Sequence, residues 1–87
     1  MTPDELEAAV RARRSLAGQT LLGLDLRGRN LAGADLAGVK IIGLRASGAN
    51  LEGCSLRDAV LVTADLGGAR LVNADLTGAK LAQANLV

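Results

Sequence analysis

Apolar residues recur at every fifth position from Leu16 to Leu86. The centres of these pentads are Leu16, Leu21, Leu26, Leu31, Leu36, Ile41, Ala46, Leu51, Leu56, Leu61, Leu66, Leu71, Leu76, Leu81 and Leu86, and fourteen of the fifteen are Leu or Ile. An amphipathic helix repeats near 3.6 residues and a half-buried strand at 2, so neither accounts for this period. Two positions before the centre Ala dominates, as at Ala34, Ala49, Ala59, Ala64 and Ala69. Two positions after it, every pentad from Gly18 to Gly53 holds Gly. Ten of the eleven glycines occupy that position, which marks it as a recurrent turn. A repeat this regular is interpreted before any local propensity.

Ahead of Ser15 the pattern changes. Thr2-Pro3-Asp4-Glu5 forms a helix start: Thr2 can cap free amides, Pro3 suits the first turn and Glu5 closes a capping box. Leu6, Ala9, Val10 and Arg13 fall on one helical face, and Glu7 pairs with Arg11 at i,i+4. So short a helix is marginal alone in water, and its apolar stripe requires a surface to lie on. The chain thus divides into an N-terminal amphipathic capping helix, residues 1–14, and a repeat domain, residues 15–87.

The repeat A(D/N)LxG, as in Ala34-Asp35-Leu36-Ala37-Gly38 and Ala74-Asp75-Leu76-Thr77-Gly78, resembles that of the pentapeptide-repeat family. The resemblance implies an all-β solenoid, a right-handed quadrilateral parallel β-helix with four pentads per coil. Residues 15–87 then supply about 3.7 coils, a rod on the order of 17 Å tall at a strand spacing of ~4.8 Å. The centre and the residue two before it point inward, and Ala beside Leu fills a narrow interior. An open solenoid end is an unpaired sheet edge, so the helix is expected to cap one end. Leu81, Leu86 and Val87 fall at the other end, which carries no lid of its own, and are candidate edge contacts.

A twenty-residue coil sorts the outward positions onto four faces. On the second face the position after the centre reads Leu22, Ile42, Val62, Ala82, and the position before it reads Thr20, Lys40, Val60, Lys80. An aliphatic stripe flanked by Lys40 and Lys80 results. Stacked β-branched residues stabilise a sheet whether or not anything binds. A contiguous exposed stripe also suits a contact with another protein or a second copy. Leu22, Ile42, Val60, Val62, Ala82, Lys40 and Lys80 are therefore the candidate partner-binding residues. The first and third faces, with Asp35, Asp75, Asp25, Asp65, Arg45 and Arg57, are polar. Inside, Leu44 and Ala46 exchange the usual sizes within one pentad, conserving volume. Gln19 and Arg29 take inward sites in the first coil, where the helix could cover them or let them reach solvent.

Composition narrows the function classes. Ten Lys and Arg balance nine Asp and Glu, for a net charge of +1, and Phe, Tyr and Trp are absent. The chain thus lacks both the basic field and the stacking aromatics of a nucleic-acid binder. No His and a single Cys exclude the usual zinc sets and Ser-His or Cys-His nucleophiles. Asp35 with Asp75, and Asp25 with Asp65, lie two coils and about 10 Å apart on convex walls, unsuited to paired-carboxylate catalysis. Gly33-x-x-x-x-Gly38-Val39-Lys40 lacks the ending of a phosphate loop and arises from the pentad period. Cys54 takes an inward Ala site and is expected to be inert.

The expectation is a non-catalytic interaction or scaffold module with no cofactor, no metal and no small-molecule substrate. Its partner is another protein or itself, through the second face and the open C-terminal end. With no apolar run of the ~18 residues a span needs and no secretory signal, the expected location is the cytoplasm. The TPDEL opening and the repeats after it also resemble segments attached to bacterial type VI secretion adaptors and effectors. A third role in the family, DNA-mimicking gyrase binding, is disfavoured by near-neutral charge and the lack of Phe.

Overall fold

The computed structural model describes all 87 residues, Met1–Val87. One helix, α1 (Pro3–Arg11), precedes two short strands, β1 (Thr20–Leu22) and β2 (Lys40–Ile42). The capping box forms as the sequence requires. The Thr2 hydroxyl accepts from the Glu5 amide at 3.1 Å, and the Glu5 carboxylate accepts from the Thr2 amide at 2.9 Å. The latter bond is the main reason that the Glu5 carboxyl titrates below its ordinary value.

The helix ends at Arg11, so Arg13 leaves the apolar stripe that helical periodicity assigns it. Arg13 has φ 57°, in the left-handed region. Its amide donates to the Val10 carbonyl at 3.0 Å, and the Arg14 amide donates to the Ala9 carbonyl at 2.9 Å. Together these are the two bonds of a Schellman motif, whose left-handed residue is usually Gly. Here it is Arg.

Beyond the helix, residues twenty apart pair in parallel. β1 pairs β2 in the register Thr20↔Lys40, Leu21↔Ile41 and Leu22↔Ile42. Isolated bridges continue the interval along four ladders. The first joins Asp35, Ser55 and Asp75; the second extends from Lys40 to Val60 and Lys80; the third joins Asp25, Arg45, Asp65 and Asn85; the fourth joins Asn30, Asn50 and Arg70. Up to Leu66 the amides of the centres donate to the next level, as in Leu36 to Ser55 at 2.9 Å and Leu56 to Asp75 at 2.8 Å. This is a parallel β-solenoid.

The D/N preference of the repeat has a local cause. Asp25, Asn30, Asp35, Asn50, Asp65, Asp75 and Asn85 each accept, through the side chain, the amide two residues on, at 3.0–3.3 Å. These Asx-type bonds satisfy an amide at the turn and hold the chain in it. The second ladder has Thr20, Lys40, Val60 and Lys80 there, and no such bond forms. Both regular strands lie on this ladder.

All twenty buried residues are apolar, and no polar or charged residue is buried. Leu6 is the helix's fully buried contribution, with Ala9 and Val10 packed beside it. Leu44 and Ala46 are both buried, as their size exchange requires. Arg29 reaches out of its inward site to the helix, its Nη1 lying 2.5 Å from Asp4 and 3.3 Å from Glu7. Glu7 also accepts the Asn30 amide at 3.1 Å. The helix is thus tied to the first coil by an apolar anchor and by charge. Gln19 remains exposed.

Candidate functional site

The second ladder differs from the other three in both packing and charge. Leu21, Ile41 and Leu61 point into the core, so alternation along an extended backbone turns the next residue outward. Leu22 is 70% exposed, Ile42 65% and Val62 38%. Ala82 completes the row and is exposed, whereas Val60 is half-buried between Lys40 and Lys80. The burial of Val60 makes it partly a packing residue of the ladder. Lys40 and Lys80 are exposed and join no ion pair.

Elsewhere three outward arginines are matched in place. Arg27 pairs with Asp25 at 2.7 Å, Arg57 with Asp75 at 3.2 Å and Arg70 with Glu52 at 2.6 Å. Hydrogen bonds from the Arg27 side chain and amide hold the Asp25 carboxyl well below its usual range. The Thr77 hydroxyl and amide, and then Arg57, lower Asp75. The second ladder has no carboxylate among its outward residues. Asp58, at the turn leading into it, is the nearest acid along the chain.

At the C-terminal end the pairing stops. The amides of Leu71, Leu76, Leu81 and Leu86 lack the ladder bonds that Leu51, Leu56, Leu61 and Leu66 make one level earlier. The carbonyls of Ala69, Ala74, Ala79 and Ala84 likewise receive none. Burial falls with the pairing: Leu61 and Leu66 are 0% and 1% exposed, Leu71, Leu76 and Leu81 are half-buried, and Leu86 is 51% exposed. Val87 is 99% exposed. This is a coil-shaped edge of free donors, free acceptors and partly open leucines.

Reactive chemistry is not assembled around either surface. Cys54 is buried, its thiol donating to the Leu31 carbonyl at 2.9 Å, and burial pushes the thiol pKa up. No three His, Cys, Asp or Glu side chains converge as a metal-holding group. No helix is long and apolar enough to cross a membrane. Two features escaped the face-by-face sequence reading. Val72, on the fourth ladder, is 60% exposed, and its signal was the same position after a centre that exposes Ile42. The second is a recess beside Arg11, Arg13 and Arg14, whose signal was the RARR run closing the helix.

The twenty-residue parallel register and the apolar interior define a β-solenoid repeat protein. The chain matches the family described as pentapeptide repeats, in 8 copies, over residues 21–58 and 54–87. It belongs to that family. Among curated proteins, none matches the chain.

Proposed function

We propose that this chain is a non-catalytic protein-interaction module whose main contact is the second ladder. In this reading residues 15–87 form a right-handed quadrilateral β-helix of about 3.7 coils, and residues 1–14 cap it. The observation that carries the contact is the exposed row Leu22, Ile42 and Val62 beside the unpaired Lys40 and Lys80. An already fixed backbone binds with little ordering cost. The lysines select a partner surface that places carboxylates around an apolar centre. The cytoplasm is the proposed compartment.

The test is the double variant Ile42→Ser/Val62→Ser. Both side chains point outward, so circular dichroism should be unchanged while self-association in sedimentation, or retention of a co-purifying protein, is lost. Unchanged association in the double variant removes the ladder from the interface.

The unpaired C-terminal edge supports a second contact, coil against coil between two copies about a two-fold axis or with a further domain that continues the solenoid. Deleting residues 77–87 tests it. A remainder that keeps its solubility and size distribution rules this contact out.

A further inference from the structure

We propose that the recess between the end of α1 and the first coil is a binding site for a phosphate-bearing group. Arg11, Arg13 and Arg14 line one side, and Ala32, Gly33 and Asp35 line the other. The site lies outside the second ladder, so it stands independently of the contact proposed there.

Clustering of weakly paired and unpaired arginines singles out this recess. Arg27, Arg29, Arg57 and Arg70 each hold a carboxylate within 3.3 Å. Arg13, Arg14 and Arg45 hold none, and Arg11 reaches Glu7 only at 3.9 Å; of these, Arg11, Arg13 and Arg14 line the recess together and Arg45 stands apart on the third ladder. Asp35, the one acid in the lining, forms no ion pair with them. Its carboxylate accepts instead from the Ser15 hydroxyl at 2.6 Å and the Ala37 amide at 3.3 Å. The recess therefore gathers three guanidinium groups against one carboxylate, a formal lining charge of +2.

The turn and the guanidinium chemistry shape the site. Arg13 occupies the left-handed position of the Schellman motif, with φ 57°, where Gly fits without strain. The planar fork of arginine matches phosphate oxygens in pairs, which an ammonium group does not. The opposite wall is small: a Cβ added at Gly33 meets nothing within 4 Å, leaving room for a compact group.

The class of ligand follows from the extent of the charge. The three arginines close one turn at one end of the molecule, while Lys40 and Lys80 lie on the second ladder. A concentrated cluster suits a single multiply charged group. An extended acidic peptide would need cations spread along its length.

The test is a nuclear magnetic resonance titration of the full chain at about 150 mM salt, where unspecific surface charge is screened within ~8 Å. The probes are inorganic phosphate, O-phosphoserine, a hexaglutamate peptide, and phosphatidylcholine vesicles with and without phosphatidic acid. Saturable shifts at the amides of residues 32–35 and at the Arg13 and Arg14 side chains are expected with a phosphate-bearing probe. Arg13→Gly/Arg14→Gln should weaken that binding by about tenfold or more. Arg45→Gln/Arg57→Gln, which removes the same charge elsewhere, should leave it unchanged. Arg13→Gly relieves the left-handed residue, so the variant is expected to fold, and a thermal melt verifies it. Binding of phosphate or phosphoserine assigns a soluble ligand, and binding only of phosphatidic acid vesicles assigns a lipid headgroup; either supports the site. Equal loss in both double variants, tighter binding of hexaglutamate, or no saturable shift at residues 32–35 overturns it.

Discussion

At the scale of single residues, the turns decide most of the energetics. The position two after a pentad centre is left-handed at Gly18, Gly53 and Gly78, and equally at Asp58, Thr63, Asn73 and Gln83. The solenoid therefore imposes the conformation even where the residue resists it. An L-residue in this region is disfavoured by ~1–2 kcal/mol, and a β-branched one sits there least comfortably. Thr63→Gly and Arg13→Gly should each stabilise the fold by on the order of 1 kcal/mol in urea denaturation, after the extra unfolded-state entropy of Gly is subtracted. Gly78→Ala should do the opposite, because an added Cβ would meet the Asp58 carboxylate as well as the backbone preference. An unchanged or lowered midpoint for Thr63→Gly would show that the left-handed turn is not the strained element.

At the scale of elements, α1 stands or falls with its docking. Nine residues are too few for a stable isolated helix, and Leu6 is its single fully buried side chain. Leu6→Ala should cost about 2–5 kcal/mol, the usual range for a buried Leu. Because α1 covers the first coil, amide hydrogen exchange should rise first around residues 16–34 and leave residues 51–66 protected. Loss of protection throughout would mean that α1 and the solenoid fold as one unit. Much of this was legible beforehand. The pentad centres, the capping box, the inward Cys54 and the outward Ile42 follow from side-chain size and period, which are local properties. The Arg29 contacts with Asp4 and Glu7 were not, since they depend on how the helix lies across the first coil. Arg13 was misplaced for a related reason. Helical periodicity projects it onto the apolar face, but periodicity carries no information about where the helix stops. The recess escaped because only the tertiary arrangement shows which arginines lack a carboxylate.

At the scale of the whole molecule, a single file of apolar side chains meets two unlike ends. Charge sets the pH limits of that file. Glu5, Asp25 and Asp75 titrate below their ordinary values of 4.5, 3.8 and 3.8 in the folded chain. The unfolded chain thus takes up protons first, and stability present above pH ~5 should decline as pH falls through these values. These groups are exposed, so salt should shrink the effect. On the alkaline side the buried Cys54 thiol stays protonated past its ordinary 9.0. The unfolded thiol ionises first, so stability should fall again above pH ~9, and Cys54→Ala should flatten that limb alone. Depth along the file sets the remaining asymmetry. Leu61 lies between the levels of Ile41 and Leu81 and is fully buried, whereas Leu81, one level later on the same ladder, is half-buried with its amide unpaired. A solenoid contributes stability as a sum of levels and of the contacts between them, and its last level has only one neighbour. Leu61→Ala should therefore cost about 3–5 kcal/mol, and Leu81→Ala clearly less in the isolated chain. The comparison becomes diagnostic at high protein concentration. If the open edge is covered by a second copy, the penalty at Leu81 should grow with concentration as the dimer forms, while that at Leu61 stays constant. Chemical denaturation of both variants over a hundredfold range of protein concentration measures the difference, and a Leu81 penalty independent of concentration would remove the end-to-end contact.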